Sequence, residues 1–210
     1  MIEATLAMIA KAPAPGRSKT RLSPPLSLVQ AAELAAAALR DTLAAMAATP
    51  VARSALVLDG RPGAWLPCGF EVITQRGEGL DQRLAAAFVD LMGPTLIIGM
   101  DTPQVSAVML ERALEQLDAH QAVLGPAADG GFWAIGLRRP DPMALLGVPM
   151  SSEHTLAAQR TRLRSLGLDV AEVELLRDVD TFDDAVAVAA EAPDSWFARA
   201  LVELPVAAAA

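Results

Sequence analysis

Residues 4 to 22 read Ala4-Thr-Leu6-Ala-Met8-Ile9-Ala-Lys11-Ala-Pro13-Ala-Pro15-Gly16-Arg17-Ser18-Lys19-Thr-Arg21-Leu22, an apolar run that opens into a basic loop. Leu6, Met8 and Ile9 predict a buried first strand. Pro13, Pro15 and Gly16 keep the next stretch out of a helix, because proline has no N–H to donate and disfavours helix at the residue before it. A strand that ends in a stiff basic loop, with a helix after it, is a common way to hold phosphate at the carboxyl edge of an α/β sheet. No Asp or Glu stands between Glu3 and Glu33, so Lys11, Arg17, Lys19 and Arg21 have no local partner in a chain whose net charge is −8. An anionic ligand is one reading of that imbalance, and a solvated surface loop is the other. A Walker A loop is excluded, since Ser18 precedes Lys19 where the pattern needs glycine.

Composition narrows the classes. A chain of 210 residues can bury roughly 70% of its unfolded surface, enough for one core without staples. One domain over residues 1–205 is expected, with 206–210 a disordered tail. Cys68 is the single cysteine and His120 and His154 the two histidines, which excludes internal disulfides and Cys-based metal sites, argues against a His-rich one and fits a reducing cytoplasm. Glu3 replaces a basic leader region and Lys11 ends the first apolar run, so neither a signal peptide nor a membrane span is expected there. The acidic balance, the absence of Tyr and an aromatic content of 4% argue against nucleic acid as partner.

Further along, Ser27 to Ala48 has helix-forming composition, with Leu39, Leu43 and Met46 on one stripe. Ala55 to Leu58 predicts a second strand ending at Asp59-Gly60, and Phe70 to Thr74 a third. The loop Gln75-Arg-Gly77-Glu-Gly79 leads into a helix over Leu80 to Leu91 that carries Asp81 in its first turn, as the helix dipole prefers. Thr95 to Gly99 is a central strand that delivers Asp101 to the sheet edge. A helix over Val105 to Ala119 follows. The strands Ala122–Gly125 and Phe132–Leu137 are joined by too few residues for a helical crossover, so they must be antiparallel or splayed apart, and the sheet is mixed. Ser152 to Leu166 predicts a helix bearing Arg160, Arg162 and Arg164, and Val170 to Leu175 a last strand. Thr181 with Asp184 reads as a helix cap, which accounts for Asp183 and Asp184 but leaves Asp178 and Asp180 unexplained. The alternation of strands and helices predicts an α/β layered domain.

Asp101 and Asp180, read as acidic strand ends, would face the basic loop at the carboxyl edge. Few, hard oxygen ligands suit Mg²⁺ or Mn²⁺, which keep waters and take further coordination from phosphates. Lys11 or Lys19, with Arg17, would then offset charge on a departing phosphate group. A cap or a salt bridge would use the same aspartates. His154 reads as a surface residue early in its helix.

Five blocks, Lys11 to Leu22, Gln75 to Arg83, Ile98 to Pro103, Gly125 to Leu137 and Asp178 to Thr181, together resemble the DUF2064 family of GT-A-fold nucleotide-diphospho-sugar transferases. The likeness runs in order from about residue 4 to 190. It implies a three-layer, Rossmann-like GT-A domain with a mixed, mostly parallel central sheet. It implies a nucleotide held by Lys11, Gly16, Arg17, Lys19 and Arg21 and by Gln75, Gly77, Gly79 and Arg83, with a divalent cation at Asp101 and Asp180. Asp129, Gly130 and Gly131 fall on the sugar and acceptor side, with Asp129 and Lys19 as catalytic candidates. Met100 and Met150 depart from the family's usual residues beside the metal and on the acceptor side. The implied reaction is metal-dependent transfer of a sugar from a nucleotide-diphosphate sugar to a small-molecule acceptor, with release of NDP. The alternative is nucleotidyl transfer from an NTP with release of pyrophosphate, similar to the phospholactate guanylyltransferases. The Pro-rich first loop departs from the Leu-Ala-Gly-Gly loop common among those enzymes and favours the first reaction. A nucleotide-binding module without turnover is the third reading. No membrane partner is implied, and a homodimer is compatible with all three.

Overall fold

Alternation along the first strand sets up the layers of the structure, a computed structural model that describes residues 2–204. On β1 (Ile2–Lys11), Leu6, Met8 and Ala10 face one side and Ala7 and Ile9 the other, as the period of a strand requires. The same division continues on β2 (Val51–Asp59), where Leu56 and Leu58 join the first side and Ala55 and Val57 the second. Helices α1 (Leu28–Ala48) and α3 (Ala107–Ala119) cover the first face with Leu39, Leu43, Met46, Leu110 and Leu114. Helices α2 (Leu80–Leu91) and α4 (Thr155–Ser165) cover the second with Leu84, Phe88, Leu91 and Leu163. Strands buried on both faces read as near-continuous apolar runs, and β4 (Thr95–Ile98) is buried at every position. The three-layer, Rossmann-like α/β architecture expected from sequence is the one observed.

The remaining strands are β3 (Glu71–Thr74), β5 (Ala122–Pro126), β6 (Phe132–Leu137) and β7 (Val170–Glu172). The sheet has seven strands in the order β3-β2-β1-β4-β6-β5-β7. β6 runs antiparallel to both β4 and β5, and the other pairings are parallel. The short β5–β6 connection therefore makes an antiparallel neighbour, and the sheet is mixed but mostly parallel.

Several boundaries differ from the sequence reading, and those around the last strand and α4 bear on the site. β7 stops at Glu172 and not at Leu175. Its partner β5 ends in a register shift at Gly125/Pro126, and Pro126 has no N–H to continue the ladder, so the chain goes on only through Val173 N–H to the Leu124 carbonyl, Leu176 N–H to the Pro126 carbonyl and an isolated bridge at Leu176. Asp180 is consequently a loop residue beside the cap of α5 (Phe182–Glu191), and not the end of a strand. α4 begins at Thr155, because Ser152 to His154 are held in a preceding turn by Ser152 N–H donating to Thr155 Oγ1 and Thr155 N–H to the Ser152 carbonyl.

The carboxyl-terminal helices α5 and α6 (Trp196–Glu203) add a smaller core on the outer side of α1. Leu34, Ala38, Val188 and Phe197 meet there with Leu22, Leu26 and Val179. That cluster clamps the basic loop and the Asp178–Asp180 loop from behind. The Thr181 cap forms as expected, a reciprocal pair in which Asp184 N–H donates to Thr181 Oγ1 at 3.3 Å and Thr181 N–H to Asp184 Oδ2 at 2.9 Å. No described helix is long and apolar enough to cross a membrane. The tail expected at 206–210 lies outside the described residues.

Candidate functional site

The loop after β1 is fixed by its own hydrogen bonds. Arg17 and Ser18 N–H both donate to the Ala14 carbonyl at 3.1 Å, and Ala14 N–H donates to the buried Ser18 hydroxyl. Gly16 turns the chain at φ 74°, a left-handed conformation that glycine adopts without steric cost. Lys19 follows, also left-handed at φ 50°, and then a one-turn 3-10 helix, Thr20–Leu22. Three of the four loop cations, unpaired locally, find carboxylate partners at long range. Lys19 Nζ lies 2.6 Å from Asp101 Oδ1 and also donates to the Val179 carbonyl, with 8% of its side chain exposed. Arg21 pairs with Asp180 at 2.7 Å, and Arg17 with Asp59, the last residue of β2, at 3.6 Å. Lys11 has no carboxylate partner among the described residues, and its backbone N–H meets Met100 Sδ at 3.2 Å.

One main-chain contact brings the two expected metal ligands into the same place: Val179 N–H donates to the Asp101 carbonyl at 2.8 Å. Asp101 itself lies beyond Gly99, whose N–H is tied to the Trp133 carbonyl at 2.8 Å. Asp129 sits in the β5–β6 loop, where its Oδ1 accepts from Gly131 N–H at 2.7 Å. Asp178 stands nearby. Burial pushes its carboxyl up to about 6, and the charge on Asp129 adds to the rise; its own backbone N–H opposes, Asp180 raises it further and Lys19 pulls it down.

The loop before α2 is tied into the sheet by its own side chains. Gln75 Nε2 spends both its hydrogens on the carbonyls of Ala10 and Val57, at 2.7 and 3.0 Å, so it stitches β1 to β2 and keeps only its oxygen, 3.4 Å from Arg83 Nη1. Arg83 also donates to the Gly77 carbonyl at 3.1 Å and lies 3.8 Å from Asp59. Gly77, at φ 115°, would place a Cβ 2.7 Å from that of Gln82, so packing of the loop alone accounts for it. Gly130 is more tightly constrained, since a Cβ there would lie 2.2 Å from the Glu153 carbonyl oxygen.

These elements surround an open cleft of about 680 Å³ at the carboxyl edge of the parallel strands. Lys11, Arg17, Lys19, Arg21 and Arg83 line it together with Asp101, Asp129, Asp178 and Asp180. Gln75 and Gly131 reach it too, whereas Gly16, Gly77, Gly79 and Gly130 shape its loops without lining it. Two contributors were missed in the sequence. Asp178 had a visible signal, a carboxylate that the helix cap does not explain. Asp59 had only an Asp-Gly pair at a strand end, which any turn would show.

The donor set fits a hard divalent cation. Asp101 and Asp180 offer carboxylate oxygens on one open cleft, although among the described residues no three Asp, Glu, His or Cys side chains come together closely enough to hold a metal unaided. Water and phosphate oxygens would have to complete the shell, as is usual for Mg²⁺.

Comparison with known proteins bears on the family and the fold. Residues 31–152 match the profile of a family described as "Uncharacterized protein conserved in bacteria (DUF2064)". A search of the curated proteins finds no match. A structure from Desulfovibrio desulfuricans G20, provisionally described as a nucleotide-diphospho-sugar transferase, is 25% identical and superposes with a TM-score of 0.86 over 97% of this chain and 95% of that one. A CMP:2-keto-3-deoxy-manno-octonic acid synthetase in complex with CTP shares the fold at 14% identity and TM-score 0.57, over 90% of this chain and 97% of that one. A manganese complex from Mycobacterium tuberculosis H37Rv does so at 20% identity and TM-score 0.55, over 89% and 97%.

Proposed function

The chain belongs to the DUF2064 family, and from that premise we propose that it is a metal-dependent transferase acting on a nucleotide-diphosphate sugar. The observation that carries the reading is the cleft itself, where five basic side chains and four aspartates meet at the carboxyl edge of a Rossmann-like sheet. Lys11, with no carboxylate partner among the described residues, and Arg17, whose contact with Asp59 is a loose 3.6 Å, are the cations least committed within the protein, and Arg83 shares Asp59 with Arg17. Asp101 and Asp180 would hold Mg²⁺ or Mn²⁺, which supplies positive charge to the diphosphate as it departs. The acceptor hydroxyl oxygen bonds to the anomeric carbon as the bond from that carbon to the diphosphate breaks. The hydroxyl proton passes to a carboxylate, and NDP leaves.

Asp129 is the base that the sequence suggests, but one of its oxygens is engaged by Gly131. Asp178 is the better match for the proton, because a carboxyl raised to about 6 is closer to the pH at which a general base works efficiently. Nucleotidyl transfer from an NTP is the second reading, favoured by the shared fold with a CTP-bound synthetase. The same cations and the same two aspartates would serve it.

A thermal-shift panel of NTPs, NDPs and NDP-sugars with and without Mn²⁺ separates the two. A ligand at a hundredfold excess over its Kd stabilises by about 2.7 kcal/mol. Mn²⁺-dependent stabilisation by an NDP-sugar, with NDP release on adding acceptors, is the expected result. Stabilisation by NTPs only, with pyrophosphate release, overturns the first reading in favour of the second.

A further inference from the structure

The two carboxylates suited to a metal each already hold a cation from the chain. Lys19 Nζ is 2.6 Å from Asp101 and Arg21 Nη1 is 2.7 Å from Asp180. The two cations are held very differently. Lys19 is nearly buried, its backbone is left-handed, and its ammonium is shared with the Val179 carbonyl. Arg21 leaves 75% of its side chain in solvent and is held by Asp180 in an exposed pair. A divalent ion arriving alone would enter beside a fixed ammonium and would have to displace a guanidinium. We propose that Lys19 and Arg21 are resident counter-ions that compete with the divalent cation for Asp101 and Asp180.

This inference deepens the metal assignment made under the proposed function and rests on it. A diphosphate reverses the balance. Its oxygens give Arg21 and the remaining Lys19 N–H an acceptor, and its negative charge offsets the crowding of cations. Metal and diphosphate therefore enter as mutually supporting ligands, and by reciprocity each raises the affinity of the other by the same factor. The device keeps the empty cleft electrically balanced and restricts metal occupancy to the nucleotide-loaded state.

The test needs no substrate. Binding of Mn²⁺ alone to the full chain is followed by the loss of the free-ion electron paramagnetic resonance signal. Wild type is compared with Lys19→Met, Arg21→Gln and Asp101→Asn, each verified as folded by circular dichroism. Lys19→Met is expected to bind Mn²⁺ about tenfold more tightly than wild type, the size of one removed charge contact. Arg21→Gln should tighten it by a smaller factor, and it keeps the question decidable should Lys19→Met not fold. Asp101→Asn should bind more weakly than wild type. Folded charge-removal variants that bind Mn²⁺ no better than wild type overturn the competition, as does an Asp101→Asn variant with undiminished affinity. Failure of the nucleotide site itself would look different, since NTPs, NDPs and NDP-sugars would then all leave the melting temperature of every variant unchanged.

Discussion

Lys19 Nζ bridges Asp101 Oδ1, 2.6 Å away, and the Val179 carbonyl, and Val179 N–H returns a 2.8 Å hydrogen bond to the Asp101 carbonyl. One side chain thus closes a ring that joins the basic loop, the end of β4 and the loop before α5. Lys19→Ala is expected to destabilise the protein by roughly 1–3 kcal/mol, because it leaves a carbonyl and a carboxylate without their donor. The exposure of Asp101, at 45%, places the effect towards the low end, since solvent screens the charge component. Arg21→Ala should cost almost nothing, its pair with Asp180 being largely exposed. Urea denaturation of both variants in the presence of a chelator checks this, and equal losses would remove the ring as a structural unit.

Asp178 predicts a pH signature. Its folded carboxyl is raised from 3.8 to about 6, so the fold disfavours its charged form. The resulting penalty is absent below about pH 4, grows as pH rises through 6, and is complete above it. Asp178→Asn removes the ionisation and should stabilise the metal-free protein at pH 7.5 by roughly 1–2 kcal/mol after allowance for solvent screening. For a chain of this size that is a few degrees in Tm. The gain should vanish at pH 4, and transferase activity should fall in the same variant. A melting temperature that shifts equally at both pH values would sink the account.

Gly130 links the β5–β6 loop to the start of α4. Its carbonyl accepts from Leu156 N–H at 2.8 Å, its φ is 87°, and an added methyl would lie 2.2 Å from the Glu153 carbonyl oxygen. Gly130→Ala therefore forces either the Asp129 loop or the Glu153 turn to move, at a cost of roughly 2–4 kcal/mol from strain and overpacking. Gly131→Ala is the control, since the atoms nearest its Cβ would be those of the Asp129 carboxylate, at 3.0 Å, a side chain that can shift. Comparable melting temperatures for the two variants would show that the turn yields more easily than the contact implies.

Much of this fold is legible in the chain because it rests on short-range periodicity. The doubly buried strands announce themselves as apolar runs such as Thr95–Ile98, and the Thr181–Asp184 cap is written in residues three apart. What escapes is whatever depends on distant partners. The basic loop looks unpaired until Asp59, Asp101 and Asp180 are folded against it. Gln75 looks like a ligand contact, yet its amide is consumed by the backbones of β1 and β2, which no local pattern encodes. β7 is shortened by a proline in its neighbour β5 and by nothing in its own residues. Helix α6 is missed for the same reason, being short and secured from α1.

Asp41 is that distant anchor. Its two oxygens accept from Trp196 N–H at 3.0 Å and Phe197 N–H at 2.7 Å, and the neighbouring Arg40 guanidinium lies 4.7 Å from the Trp196 ring centroid. Those amides are among the four that a helix start leaves without internal partners. Ser195 caps Ala198 at 2.9 Å, so Asp41 supplies what the helix's own cap does not. Asp41→Ala is expected to cost about 1–2 kcal/mol, the range of a lost helix cap. Because Phe197 packs in one cluster with Leu22 and Val179, the loss should loosen the residues that back Lys19 and Asp180. Hydrogen exchange of the α6 and Val179 amides should then accelerate together while that of β1 stays slow. Exchange that quickens in α6 alone would mean that the carboxyl-terminal helices decorate the sheet without supporting the cleft.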